Sequence, residues 1–112
     1  MKKEPRPRII PSITARVETG CGNLYVTVGL TKEGQPFEVF AILGKSGGCA
    51  ACQSAALTKS ISQGIRHGVP VEEYLKLLIG VRCPSPGIEV LSCPDAIGQV
   101  LKKVCEGEYK GR

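Results

Sequence analysis

The hydrophobic pattern of this 112-residue chain changes period close to Gly44, and this change constrains the fold more than any other feature. Before it, apolar and polar residues alternate over residues 13–18, 24–30 and 37–43. Such alternation is typical of a β-strand with one buried face. The turn residues of LTKEGQP separate the second run from the third and indicate a hairpin. The sequence therefore predicts an antiparallel meander of about three strands that ends near Leu43.

After Gly44 the apolar residues recur at helical spacing in three segments. The first covers residues 49–67 and carries a stripe made of Ala50, Ser54, Leu57, Ile61 and Ile65. The second begins at Pro70, which suits a first helical turn, and Gly80 closes it. The third begins near Cys93. The prediction is an α+β fold, a small antiparallel sheet followed by three helices on one face, in a single domain over residues 13–105.

Two flanking segments complete the predicted organisation, an arm over residues 1–12 and a tail over residues 106–112. The arm contains Pro5, Pro7 and Pro11 and concentrates positive charge in a chain of net charge +5, through Lys2, Lys3, Arg6 and Arg8. We expect it to be an extended, poorly ordered linker remnant. It either contacts nucleic acid or an acidic partner, or serves as a solvated tail.

The start of the chain lacks an apolar segment behind its positive charges, and no stretch has the length and apolar character of a membrane span. We therefore expect a cytoplasmic, reducing environment and no membrane contact. In that compartment the six cysteines indicate metal binding or catalysis rather than a disulfide framework.

The segment from Gly80 to Gly98 contains two of these cysteines, Cys83 and Cys93, each followed by proline. Ser92 is predicted to cap the third helix, and Asp95 to complete a capping box. Cys93 then lies in the first helical turn, where free amides and the helix dipole favour a thiolate. A cysteine in this position is suited to a metal or to redox exchange.

Two further thiols are predicted at element ends, Cys21 between two glycines and Cys49 at the start of the first helix. With Cys83 and Cys93 they make four thiolates, the number that tetrahedral zinc requires. Their spacing is not the CxxC…CxxC of a zinc ribbon, so spacing alone leaves the site open.

Cys52 forms a CxxC with Cys49 at a helix start, where a redox pair could lie. The alternatives are a small buried hydrophobe or a ligand in place of Cys49. Cys105 falls on the apolar stripe of the last helix and is interpreted as a packing residue. The single histidine, His67, is predicted at the end of the long helix, where the dipole favours a cation.

Four motifs in order carry a family resemblance: TGCGNLYVTV at 19–28, PFEVFAILGKSGGCA at 36–50, GVPVEEYLKLLIGVRCPSP at 68–86 and LSCPDAIG at 91–98. They resemble the C-terminal domain of adenosylcobalamin-dependent (class II) ribonucleotide reductases, the TSCPD domain. The resemblance implies a zinc site held by the cysteines at positions 21, 49, 83 and 93. Two positions depart from the family pattern, Leu91 in place of threonine and the extra thiol of Cys52.

Class II reductases carry out their chemistry in a large barrel with a cobalamin site, which 112 residues cannot contain. The resemblance therefore implies a stand-alone accessory module with structural zinc and no cobalamin of its own, beside a reductase catalytic subunit in deoxyribonucleotide and hence DNA synthesis. One alternative is a thiol-disulfide relay that delivers electrons to a reductase through Cys49 and Cys52 or through Cys83 and Cys93. The other is a nucleic-acid-binding zinc module that uses the basic arm.

Overall fold

The structure is a computed structural model that describes residues 3–44, 48–84, 86–87 and 89–108. Its elements are β1 (Ser12–Thr19), β2 (Gly22–Leu30), β3 (Pro36–Leu43), α1 (Gly48–Arg66), α2 (Val71–Leu78) and α3 (Cys93–Cys105). This order confirms the predicted α+β fold of a three-stranded antiparallel sheet followed by three helices. None of the helices in the described ranges is long and apolar enough to cross a membrane.

The sheet is a meander in the order β1-β2-β3. β1 and β2 pair without interruption, from Ser12 opposite Gly29 to Thr19 opposite Gly22. Three alternating aliphatic side chains of the central strand are fully buried, namely Leu24, Val26 and Val28, whereas Tyr25 between them is 38% exposed. The alternation of apolar and polar residues in the sequence thus determines which face of the sheet is buried.

Helix α1 lies along the edge strand β3, with the predicted stripe turned inward. Ile61 is 1% exposed, and Ala50, Leu57 and Ile65 pack against the core. Ser62 adds a polar contact that the sequence did not indicate. Its hydroxyl lies 2.8 Å from both the backbone nitrogen and the carbonyl oxygen of Val39, accepting from one and donating to the other.

Helix α3 supplies most of the helical core. Five of its apolar residues are at most 3% exposed and form one stripe against the sheet, namely Ala96, Ile97, Val100, Leu101 and Val104. Gly98 allows α3 to approach the end of α2, because a Cβ there would lie 2.9 Å from a side-chain carbon of Ile79. Because protein interiors are close-packed, this contact determines the position along α3 at which the end of α2 packs against it.

The N-terminal arm differs from the expectation of a poorly ordered linker, because it makes specific contacts with the domain. The backbone of Glu4 exchanges hydrogen bonds with Arg66, whose carbonyl accepts the Glu4 N–H at 2.7 Å and whose guanidinium donates to the Glu4 carbonyl. The guanidinium of Arg6 donates to both carboxylate oxygens of Glu38, at 2.8 and 3.0 Å. The arm is thus attached both to the end of α1 and to β3.

Glu38 is only 4% exposed although it lies on the outer face of the sheet. A Cβ at Gly29, its partner on β2, would lie 2.7 Å from Glu38 Cγ, so the carboxylate packs flat on this glycine beneath Arg6. Hydrogen bonding and the negative charge of Glu38 raise the pKa of Arg6. The buried carboxylate of Glu38 is thus paired with a residue of the arm, a relationship that no local sequence pattern indicates.

Candidate metal centre

Cys21 occupies the two-residue turn that joins β1 to β2. Thr19 and Gly22 form the last pair of the ladder, and Gly22 adopts a φ of 128°, which favours glycine. The Thr19 hydroxyl donates to the Gly22 carbonyl at 2.8 Å and accepts the Cys21 N–H at 3.1 Å. The backbone that carries the Cys21 thiol is therefore fixed by one threonine side chain.

Cys93 lies in the first turn of α3, as predicted, and is buried at 9% exposure. Ser92 caps the helix by accepting the Asp95 N–H at 3.0 Å, and its hydroxyl donates to the Val81 carbonyl at 2.7 Å. The Cys93 sulfur lies 3.8 Å from the Thr19 hydroxyl oxygen. The first turn of α3 and the β1–β2 turn thus face each other.

Asp95 differs from the predicted capping box. Its carboxylate is 1% exposed and accepts the N–H groups of Gly80 and Leu91, each at 2.9 Å, together with the Gln99 amide at 2.8 Å. The predicted acceptance from the Ser92 N–H is not among these contacts. Asp95 therefore anchors both ends of the loop between α2 and α3. The position of Asp95 in the sequence predicted a role at the helix cap, but not its hydrogen bonds to the loop.

Cys83 lies in that anchored loop and is half-buried. Its N–H donates to the Leu91 carbonyl at 3.1 Å, and this bond joins the first part of the loop to its end. Since Leu91 is also held by Asp95, the backbone at Cys83 is connected to the first turn of α3 by two successive hydrogen bonds.

The three thiols line one cavity of about 380 Å³, whose remaining wall is largely apolar. It is lined by Cys21, Cys83 and Cys93 together with residues of α1, of the α2–α3 loop and of the α3 N-terminus. Although Cys21 as a residue is exposed, removal of its thiol from water raises its pKa, and the neighbouring Cys93 and Cys83 raise it further. Thiolates so close together repel one another, and a bound cation would offset this repulsion.

Cys49 and Cys52 differ in their relation to this cavity. Four residues of α1 line it at helical spacing, namely Ala50, Gln53, Ser54 and Leu57. At about 100° per residue, Cys49 lies about 90° from the centre of that face and Cys52 about 150° from it. The Gln53 amide also contacts the Cys49 sulfur at 4.0 Å. Both thiols are exposed and neither is among the residues that line the cavity. Cys49 lies nearer to the cavity-lining face of α1, and Cys52 lies on the far side of the helix.

The described side chains do not yet form a closed metal shell. Within the described ranges, no group of three or more His, Cys, Asp or Glu side chains is arranged so that it could hold a metal ion. Three thiols from separate segments nevertheless line one cavity, and cysteine sulfur is a ligand type that zinc accepts. Residues 45–47, which precede Cys49, lie outside the described ranges.

The other candidate residues lie away from the cavity lining. Cys105 is half-buried at the end of α3, and burial together with Glu72 and Glu106 raises its pKa. The ring nitrogen Nδ1 of His67 lies 2.8 Å from the Gln63 carbonyl, which is a local contact at the end of α1. In the arm, Lys3 and Arg8 are exposed, Arg6 pairs with Glu38, and Lys2 lies outside the described residues. Contact of this arm with nucleic acid stays a prediction.

In a comparison with protein-family models, the chain matches the model described as TSCPD domain over residues 2–105. The match covers nearly the whole chain and includes the arm and all six cysteines. No solved structure matches the chain significantly.

Proposed function

The chain belongs to the TSCPD domain family, and from this premise we propose that it is a zinc-binding accessory module of a ribonucleotide reductase. The TSCPD domain is associated with ribonucleotide reductases, which makes a reductase subunit a reasonable partner. The observation that carries the zinc proposal is the shared cavity, because Cys21, Cys83 and Cys93 come from three separate segments and line one space. We place this module in the cytoplasm, where thiols stay reduced.

In this proposal Cys21, Cys83 and Cys93 hold zinc, with Cys49 as the fourth ligand. Cys49 is preferred to Cys52 because it borders the face of α1 that lines the cavity. Zinc held by four thiolates has no open position and supplies folding free energy rather than chemistry. Its role is to connect the β1–β2 turn, the start of α1, the α2–α3 loop and the start of α3.

The test is metal analysis of the purified protein, followed by thermal unfolding before and after removal of the metal. We expect one zinc per chain and a melting temperature that falls by more than about 10 °C without it, since about 2 kcal/mol suffices for such a shift in a domain of this size. Cys21→Ser, Cys83→Ser and Cys93→Ser should each abolish stoichiometric zinc, while Cys105→Ser retains it. A metal-free protein that keeps its full melting temperature contradicts structural zinc.

The accessory role is tested separately, by mixing the zinc-loaded chain with a class II reductase catalytic subunit. We assign the reduction itself to that subunit, and no cobalamin to this chain. A complex in gel filtration, and a change in the rate of deoxyribonucleotide formation, support the assignment. Failure of both with a zinc-loaded chain refutes the accessory role and leaves the metal site standing.

One observation favours a second candidate, the thiol-disulfide relay. Cys83 and Cys93 line the same cavity, so the two sulfurs of a relay pair lie in one space. A relay requires reversible disulfide formation at a potential near that of thioredoxin. Thiol counting in redox buffers separates the two functions, because thiolates that hold zinc resist oxidation until the metal is removed.

A further inference from the structure

The Thr19 hydroxyl makes three contacts beside the candidate metal centre, although Thr19 carries no sulfur. A hydroxyl has one donor hydrogen and two acceptor lone pairs. The Thr19 hydroxyl donates to the Gly22 carbonyl at 2.8 Å and accepts from the Cys21 backbone at 3.1 Å. These two bonds close the turn that carries the first thiol.

The second acceptor lone pair of the Thr19 hydroxyl faces the thiol of Cys93. The Cys93 sulfur lies 3.8 Å from Thr19 Oγ1, across 74 residues of chain. This contact connects the end of β1 to the first turn of α3. The Thr19 hydroxyl thus joins the backbone of Cys21 to the sulfur of Cys93.

The third thiol is related to Thr19 through the loop that carries it. A Cβ at Gly87 would lie 2.6 Å from the Glu18 carbonyl oxygen and 3.0 Å from Thr19 Cα. The loop after Cys83 therefore passes directly against the backbone at Thr19, and only a residue without a side chain fits there. All three segments whose thiols line the cavity meet at this one residue.

We infer that Thr19 is a positioning residue that sets the distance between the Cys21 and Cys93 sulfurs and thereby tunes the affinity of the thiol cluster for a thiophilic ion. It is not a ligand. Groups that orient metal ligands in this way typically change affinity by about 10- to 100-fold when they are lost. The zinc part of this inference rests on the proposed function, whereas the positioning of the two sulfurs does not.

The test uses Thr19→Val, which keeps the branched shape and removes the hydroxyl, with Thr19→Ser as the rescue. Thr14→Val is the matched control, because Thr14 lies on the same strand and its hydroxyl bonds only the exposed Thr27 hydroxyl at 2.8 Å. If Thr19→Val does not fold, Thr19→Ala replaces it. Unfolding of each metal-free variant is measured first, so that a loss of affinity can be compared with a loss of stability.

Two probes are then titrated. Zinc affinity is measured by competition with a chromophoric chelator. The proximity of the sulfurs is measured with phenylarsine oxide, because its arsenic forms bonds to two neighbouring thiols and releases one water. We expect Thr19→Val to weaken zinc binding at least about tenfold and to reduce capture of the arsenical by Cys21 and Cys93. Thr19→Ser should stay within about threefold of the wild type, and Thr14→Val should not differ from it.

If the wild type does not bind zinc, the proposed function is wrong. The arsenical experiment still tests whether Thr19 positions the two sulfurs, because it does not require zinc binding. Equal capture by Thr19→Val and the wild type overturns the inference. So does an equal loss in Thr19→Val and Thr14→Val, since that would report strand stability rather than the position of the thiols.

Discussion

The carboxylate of Asp95 accepts the backbone N–H of Gly80 at 2.9 Å, across 15 residues of sequence. The same carboxylate accepts the N–H of Leu91 at 2.9 Å. The loop that carries Cys83 therefore begins and ends on one buried side chain in the first turn of α3. The position of the loop thiol relative to the helix thiol depends on this carboxylate.

Replacement of Asp95 by alanine should destabilise the domain by about 2–4 kcal/mol, because two backbone N–H groups lose their acceptor. Urea unfolding of the metal-free protein measures the change. Glu89→Ala is a suitable control, since Glu89 is an exposed carboxylate in the same loop and should shift the midpoint little. An Asp95→Ala protein as stable as this control would show that water replaces the carboxylate.

The two cysteines of the α1 CxxC should behave differently. Cys49→Ser is expected to weaken zinc binding at least about tenfold, because Cys49 borders the cavity-lining face of the helix. Cys52→Ser should leave the affinity within about twofold, since its side chain lies on the opposite side. Chelator competition measures both. The reverse order of effects would make Cys52 the fourth ligand.

Arg6→Ala should lower the melting temperature more than Arg8→Ala does, although both remove one positive charge from the arm. Arg6 covers and pairs with Glu38, whose side chain is 5% exposed, and a buried carboxylate without its partner is costly. In a Glu38→Gln background the effect of Arg6→Ala should shrink. Effects of equal size in the two backgrounds would show that the ion pair contributes nothing to the attachment of the arm.

Cys105 should make stability depend on pH in the alkaline range. Burial and the nearby Glu72 and Glu106 raise the pKa of this thiol above its ordinary value of 9.0. A group with a raised pKa stabilises the folded state fully below its unfolded pKa, and this contribution is lost as the pH rises through the folded pKa. Between pH 8 and 10 the wild type should therefore lose more unfolding free energy than Cys105→Ala.

The matched control for that experiment is Cys52→Ser, which removes an exposed thiol and should keep the slope of the wild type. The thiols of the metal centre are the same in all three proteins, so their titration cancels in the comparison. Parallel profiles for the wild type and Cys105→Ala would contradict the raised pKa.

The elements of this fold could be predicted because local patterns determine them. Alternation placed Leu24, Val26 and Val28 on one face of β2, and the Ser92 cap fixed the first turn of α3 with Cys93 in it. The same reasoning selected Cys21, Cys83 and Cys93, which line one cavity, because turns and helix starts carry free backbone groups. It also selected Cys49, which is exposed and is not among the lining residues.

Relationships between distant segments could not be predicted in this way. Glu38 looked like an ordinary strand residue, but it is buried and pairs with Arg6, which lies 32 residues away. In the sequence, only the neighbouring glycines and cysteine pointed to a role for Thr19. Its contact with Cys93 could not be predicted, because the two residues are 74 positions apart. A single sequence gives local periodicity, whereas these pairings depend on where the chain returns in space.

The bond between Ser62 and Val39 has a consequence for the solubility of the molecule. A β-strand at the edge of a sheet presents unpaired N–H and C=O groups that can recruit a strand from another molecule. On β3 the groups of Val39 are already taken by one hydroxyl of α1. A strand from a second copy of the chain cannot pair with Val39 unless it first displaces the Ser62 hydroxyl, so one serine blocks strand addition at the position of Val39 on this edge.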